Sequence, residues 1–145
     1  MKRSKRLEPV GELLDEAEHA RAAGVVAAQR RLAEAERRRD ELQNYLGEYQ
    51  SMFQQRAAVG MAVMGMRDYQ VFIARLQDAV RQQEGVITQL KLECERERSR
   101  WLEAAVRKIA VSKVIAKARS EDQRLEDRRS QKELDERATR MGGAR

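Results

Sequence analysis

From Leu7 onwards, apolar residues recur in alternating steps of four and three, the spacing that holds one stripe of a helix against a partner. The first stripe is Leu7, Gly11, Leu14, Glu18, Arg21, Val25, Ala28, Leu32, Ala35, Arg39, Leu42, Leu46, Tyr49 and Phe53. The pattern stops between Ala57 and Met66 (AAVGMAVMGM), where charge disappears and two glycines enter. A second stripe then runs through Tyr69, Ile73, Leu76, Val80, Gln83, Ile87, Leu90, Cys94, Glu97, Trp101, Ala104, Lys108, Val111, Ile115, Ala118, Asp122 and Leu125. Two helices joined by a turn follow, with the stripes facing each other. The expected bounds are helix one over about 5–57, turn 58–66, helix two over about 67–140 and a disordered tail over 141–145.

Folding at the turn pairs positions whose numbers add to about 122, such as Phe53 with Tyr69, Leu46 with Leu76 and Leu42 with Val80. That register sets Arg39 beside Gln83, Arg21 beside Trp101 for a cation–π contact, and Leu7 beside Ile115. Ser4 is the expected N-cap of helix one, with Pro9 in its first turn. Gly11, Gly24 and Gly47 each weaken helix one by about 1 kcal/mol relative to alanine, so its first third frays most readily. Past Arg119 helix two runs out of partner, and its charged sequence reads as a solvated extension held by ion pairs four residues apart. The expected fold is therefore all-α: one domain, a long antiparallel two-helix coiled-coil hairpin with a single-helix C-terminal extension.

Composition agrees with this reading and narrows the chemistry. Charged residues make up 37% and aromatics 4%, which suits a narrow seam and not a layered core. Cys94 and His19 are single, so the chain lacks the side chains of an internal disulfide or a zinc site. No paired nucleophile and base, phosphate-cradling glycine loop or acidic metal cluster is present, and we expect no enzyme activity and no cofactor. No apolar run has the length of a membrane span or a signal-peptide core, which points to the cytoplasm.

Three features remain for function. Phe72, Leu76, Ala79 and Gln83 form a second stripe beside the seam of helix two, and Phe72 is expected to stay partly in water as an anchor for a protein partner. The alternative is that Phe72 widens the seam over Phe53. Met61, Val63, Met64 and Met66 give the turn an apolar surface, read first as closing the end of the core. With a net charge of +6, the chain also gathers Lys2, Arg3, Lys5 and Arg6 opposite Arg107, Lys108, Lys113, Lys117 and Arg119, in a basic collar suited to an acidic surface.

Tyr45 and Tyr49 before the turn, the run Tyr69, Gln70, Phe72, Ile73 and Leu76 after it, Arg81 to Glu84, Trp101 to Ala104, and the basic start through Val10 resemble the flagellar export protein FliJ family. The resemblance implies an antiparallel stalk similar to that of rotary ATP synthases, at the cytoplasmic face of the cell membrane. Its implied partners are the export ATPase hexamer, the export-gate protein FlhA and flagellar substrate chaperones. It assigns the stripe of Phe72, Leu76, Ala79 and Gln83 to the gate, and places the helix termini, with the basic collar, at the ATPase. The competing readings are the equivalent stalk of a virulence type III secretion system and a basic coiled coil that binds nucleic acid. Acids interspersed along the chain and the lack of an aromatic platform speak against nucleic acid.

Overall fold

The computed structural model describes residues 2–143 and, among them, contains two helices and no strand. α1 spans Arg3–Val59 and α2 spans Val63–Gly143. The turn is thus shorter than the expected 58–66, and two glycines explain why. Gly60 takes a positive φ of 98°, a conformation that costs other residues a Cβ clash, and it stops α1 there. Gly65 lies inside the first turn of α2 instead of in a loop; a Cβ on it would come 3.3 Å from Cγ of Met61. At the other end α2 continues through Gly143, so Met141, Gly142 and Gly143 are helical and not part of a disordered tail. Ala144 and Arg145 lie outside the described residues.

The chain divides into two compact units, each containing part of both helices: Ala22–Ser99, and Met1–Arg21 with Arg100–Arg145. In the unit of Ala22–Ser99 every expected seam residue is buried or half-buried. Ala28 and Ala35 of α1 and Val80 and Ile87 of α2 form its driest part. Small side chains at the first two positions let the backbones come close, which concentrates dispersion contacts along a narrow line. As the α1 number falls, that of its α2 partner rises. Phe53 meets Tyr69 at 6.1 Å between ring centres, Tyr49 meets Phe72 at 4.5 Å, and Arg31 reaches Glu93 at 2.5 Å. The expected layer of Arg39 with Gln83 is replaced by another. Gln83 donates from Nε2 to the carbonyl of Ala35 at 3.0 Å, while Arg39 turns to its neighbour Asp40 at 3.2 Å. The amide is short enough to reach the facing backbone directly, and the longer guanidinium escapes to water.

In the unit of Met1–Arg21 and Arg100–Arg145 the seam is more polar. Ile115, expected beside Leu7, reaches over Gly11, where a Cβ would come within 2.9 Å of its Cδ1. The missing side chain on Gly11 makes room for the isoleucine tip. Trp101 donates its indole N–H to Oε1 of Glu18 at 3.0 Å, and Arg21 is exposed instead of stacking on the ring. A hydrogen bond from a half-buried indole to a carboxylate outweighs a cation–π contact at the surface. Leu125 is exposed, as is every residue over 123–143. Within that stretch Gln123 bonds Asp127 at 3.1 Å and Gln131 bonds Asp135 at 3.2 Å, so amide–carboxylate pairs four apart support the helix alongside any ion pairs.

The N-terminus of α1 differs most from expectation. Lys2, not Ser4, supplies the first carbonyl, accepting from the N–H of Arg6 at 3.3 Å. Pro9 is the seventh helical residue and leaves the carbonyl of Lys5 without a helical donor. Ser4 is buried and gives both its N–H, at 3.2 Å, and its hydroxyl, at 2.5 Å, to Oδ2 of Asp122 on α2. An orphan donor of one helix is thereby capped by a carboxylate of the other, at the positive end of the helix dipole.

The Ser4 hydroxyl holds the carboxyl of Asp122 below its ordinary value, helped by the Ser4 N–H and by Lys2 and Arg3 and opposed by partial burial. Because the folded value is the lower one, this contact stabilises the fold above the ordinary aspartate pKa of about 3.9 and is lost as pH falls through the lowered value. The Ser4 amide resonance is expected to titrate with Asp122 in that acid range, and Ser4→Ala to move the Asp122 midpoint upward. An unchanged midpoint in the variant would refute the trans-cap. In the other unit, cysteines introduced at Leu42 and Val80 are expected to crosslink within one chain; crosslinks found only between chains would refute the register.

Candidate functional site

The stripe expected to meet a partner lies on α2 in the unit of Ala22–Ser99. Leu76, Ala79 and Gln83 are half-buried, and Phe72 keeps 40% of its surface in water. Spacing explains the gradient, because Phe72 precedes seam residue Ile73 by one position, about 100° around the helix. The ring is not unsupported. It packs on Tyr49 at 4.5 Å and 50°, within the range of favourable tilted aromatic pairs. Phe72 therefore stands beside the seam over Tyr49, not over Phe53. Tyr49 also lies 6.3 Å from Tyr69, whose ring carries the Arg56 guanidinium at 5.6 Å.

The consequence is a face built by both helices. Tyr45, one turn before Tyr49, is 54% exposed, and Val71 next to Phe72 is exposed as well. Neither tyrosine was singled out for contact by the spacing of apolar residues, since Tyr49 belongs to the seam and Tyr45 lies off it. The repeat of tyrosine at four residues was the available signal. Gln83 closes the stripe with its amide nitrogen already committed to the Ala35 carbonyl, which fixes the rotamer in which it meets solvent.

The turn is less closed than expected. Met61 is half-buried over Gly65 and Met66 is half-buried, but Val63 and Met64 are exposed, Met64 by 82%. An open groove of about 420 Å³ lies there, lined by Gln55, Arg56, Val59, Met61, Gly65 and Tyr69 among others.

The basic collar falls wholly in the unit of Met1–Arg21 and Arg100–Arg145, and its cations divide into two groups. Lys2 pairs with Glu126, Arg3 with Glu121 at 3.8 Å, Arg119 with Glu8 at 3.4 Å, and Lys108 with Asp15 at 3.3 Å and Glu18 at 3.8 Å. Arg6 donates its backbone N–H to Lys2. Lys5, Arg107, Lys113 and Lys117 are exposed and make no ion pair among the described residues. Exposed pairs of the first group contribute little to stability, commonly under about 1 kcal/mol, but they cancel charge locally. The second group sets the outward potential.

The described residues hold no group of three His, Cys, Asp or Glu side chains placed to bind a metal ion, and none of the helices is long and apolar enough to cross a membrane. Cys94 is half-buried in the seam, and His19 contacts the Asp15 carbonyl at 2.7 Å through Nδ1.

Among known proteins, no curated sequence and no solved structure matches the chain. One family model does, that of the flagellar FliJ protein, over residues 3–145. A match of that extent takes in both helices, the turn and the exposed end of α2, so the chain belongs to the flagellar FliJ protein family and is a flagellar type III export-associated protein.

Proposed function

We propose that this chain is a non-enzymatic stalk and adaptor of flagellar export, linking the export ATPase hexamer to the gate protein FlhA and to substrate chaperones. In this reading it is a single antiparallel coiled-coil domain with a single-helix extension at its C-terminal end, working in the cytoplasm and held peripherally at the membrane through the export apparatus. The observation that carries it is the half-exposed Phe72 ring, braced by Tyr49 at 4.5 Å and flanked by exposed Val71, with exposed Tyr45 one turn before Tyr49 on α1. Rigid aromatics of this kind, partly wet in the free state, gain burial only against a partner and dominate interface energetics. Family membership supplies the system in which that partner is sought.

The stripe of Phe72, Leu76, Ala79 and Gln83 is the proposed gate contact, and the exposed collar cations Lys5, Arg107, Lys113 and Lys117 are the proposed contact with the ATPase. An aliphatic seam with a wet aromatic beside it separates folding from binding: Leu76 serves both, whereas Phe72 serves mainly the second. The collar would act over longer range, steering association in a salt-dependent way.

Loss of an aromatic at an interface centre commonly costs about 2 kcal/mol or more, so Phe72→Ala is expected to weaken binding to the gate's cytoplasmic domain by roughly thirtyfold, at near-native stability. Leu76→Ala is expected to lower both binding and melting temperature. Should Phe72→Ala melt the helix pair and retain binding in proportion to the folded fraction, the ring is packing and the gate assignment fails. Charge reversal at Arg107, Lys113 and Lys117 is expected to reduce pull-down of the export ATPase without loss of helix content; unchanged pull-down would remove the collar from that contact.

A further inference from the structure

From Ala104 to Ser120 α2 carries no acid and five cations. The acids of α1 neutralise only some of them, and they do so on one side. Asp15 and Glu18 take Lys108, and Glu8 takes Arg119. That side forms a groove in which Glu8, Glu12 and Asp15 face Ser112, Ala116 and Arg119.

The opposite side of the same unit has a different character. There a smaller groove joins Ala17 and Arg21 of α1 to Glu103 and Arg107 of α2. Helical spacing extends both strips. On α1, Leu13 and Val10 lie one and two turns before Ala17. On α2, Ala110, Val114 and Lys117 continue from Arg107, with Val106 and Lys113 on the adjoining edge. The apolar members are in water: Leu13 is 64% exposed and Val106 58%, and Val10 and Val114 are exposed as well. Arg107, Lys113 and Lys117 are exposed and make no ion pair among the described residues. Glu103 is the one acid of the α2 strip up to Ser120.

Exposed aliphatic side chains interspersed with long unpaired cations, with most acids of the unit on the other side, suit an interfacial amphipathic surface. A second copy of the chain is a poor occupant, since two such faces would repel. A groove that engulfs a single helix is a poor one too, because α2 already uses its seam against α1. A flat anionic surface meets one face of a helix pair without disturbing the seam, and lysine and arginine stems can lie along its apolar layer while their charges reach phosphates. We propose that the face of Val10, Leu13, Val106 and Val114, interspersed with Arg107, Lys113 and Lys117, binds directly to anionic phospholipid bilayers. The contact would place the chain at a membrane without any protein partner; it shares Arg107, Lys113 and Lys117 with the proposed ATPase contact, so the two would exclude each other at any one time, and only the aliphatic residues belong to the lipid contact alone.

Co-sedimentation of the full chain with vesicles tests this, since the assay contains no other protein. The chain is expected to bind vesicles of phosphatidylglycerol mixed with phosphatidylcholine, to ignore phosphatidylcholine alone, and to dissociate in high salt. Each cation near an anionic surface strengthens binding about fivefold, so replacing Arg107, Lys113 and Lys117 with glutamine is expected to weaken it roughly a hundredfold. Leu13→Gln combined with Val106→Gln and Val114→Gln leaves net charge unchanged and is expected to abolish most binding, with helix content by circular dichroism as in the parent chain. Lys91→Gln, in the other unit, removes one cation and is expected to change little. Equal binding to neutral vesicles overturns the proposal. So does full binding by the glutamine-for-aliphatic variant, which would reduce the effect to nonspecific adsorption of charge. Absence of vesicle binding, with salt-sensitive retention of the parent chain but not the cation variant on immobilised poly-L-glutamate, reassigns the face to an acidic protein and overturns it equally.

Discussion

Neither helix has an apolar face wide enough to persist alone in water. Each offers a stripe about one side chain across, and a stripe of that width is buried only if the facing backbone comes very near. Alanine and glycine make this possible. Ala28 and Ala35 are buried against α2, Gly11 accepts the tip of Ile115, and Gly24 leaves space that the Glu97 carboxylate occupies. Two of the three glycines that weaken α1 as an isolated helix, Gly11 and Gly24, are therefore places where a side chain of α2 comes close, while Gly47 faces open space. Local propensity is given up for tertiary contact, and α1 depends on α2 more than its length suggests.

This dependence explains which parts of the fold could be read from residues alone. A heptad stripe is a geometric statement about one helix, and the burial of Val25 through Phe53 and of Tyr69 through Glu97 followed from it without adjustment. What spacing does not encode is how long polar side chains resolve conflicts inside the stripe. Arg39 opposite Gln83 and Arg21 opposite Trp101 were reasonable neighbours by number, yet each polar group found a nearer or more highly charged partner: the Ala35 carbonyl, Asp40 and Glu18. The ends of the helices depart from the pattern for a related reason. Ser4 has the side chain of an N-cap, but a carboxylate on the other helix satisfied its donors more strongly than the local cap could. At the turn, Gly65 has the composition of a loop but sits in the first turn of α2, where its missing side chain leaves room for Met61.

The candidate site was legible in part for the same reason. Phe72 lies beside the seam because of its number, and its exposure follows from that alone. Its support by Tyr49 does not, since that depends on the stagger between the helices. The collar shows the reverse case: composition located the charge, but only the pairing of Glu8, Asp15 and Glu18 shows which cations remain available and on which side. Position along a helix thus predicts accessibility well and electrostatic availability poorly.

The contact between Ser4 and Asp122 joins residues 118 positions apart. A cap supplied from so far along the chain cannot form early, because the intervening turn must close first and closure of long loops is slow. During synthesis, the first turn of α1 leaves the ribosome long before Asp122 exists, and its orphan N–H groups have only water to bind. The beginning of the chain is thus among the last parts to be settled, and its completed first turn reports that the polypeptide has been made at least as far as Asp122.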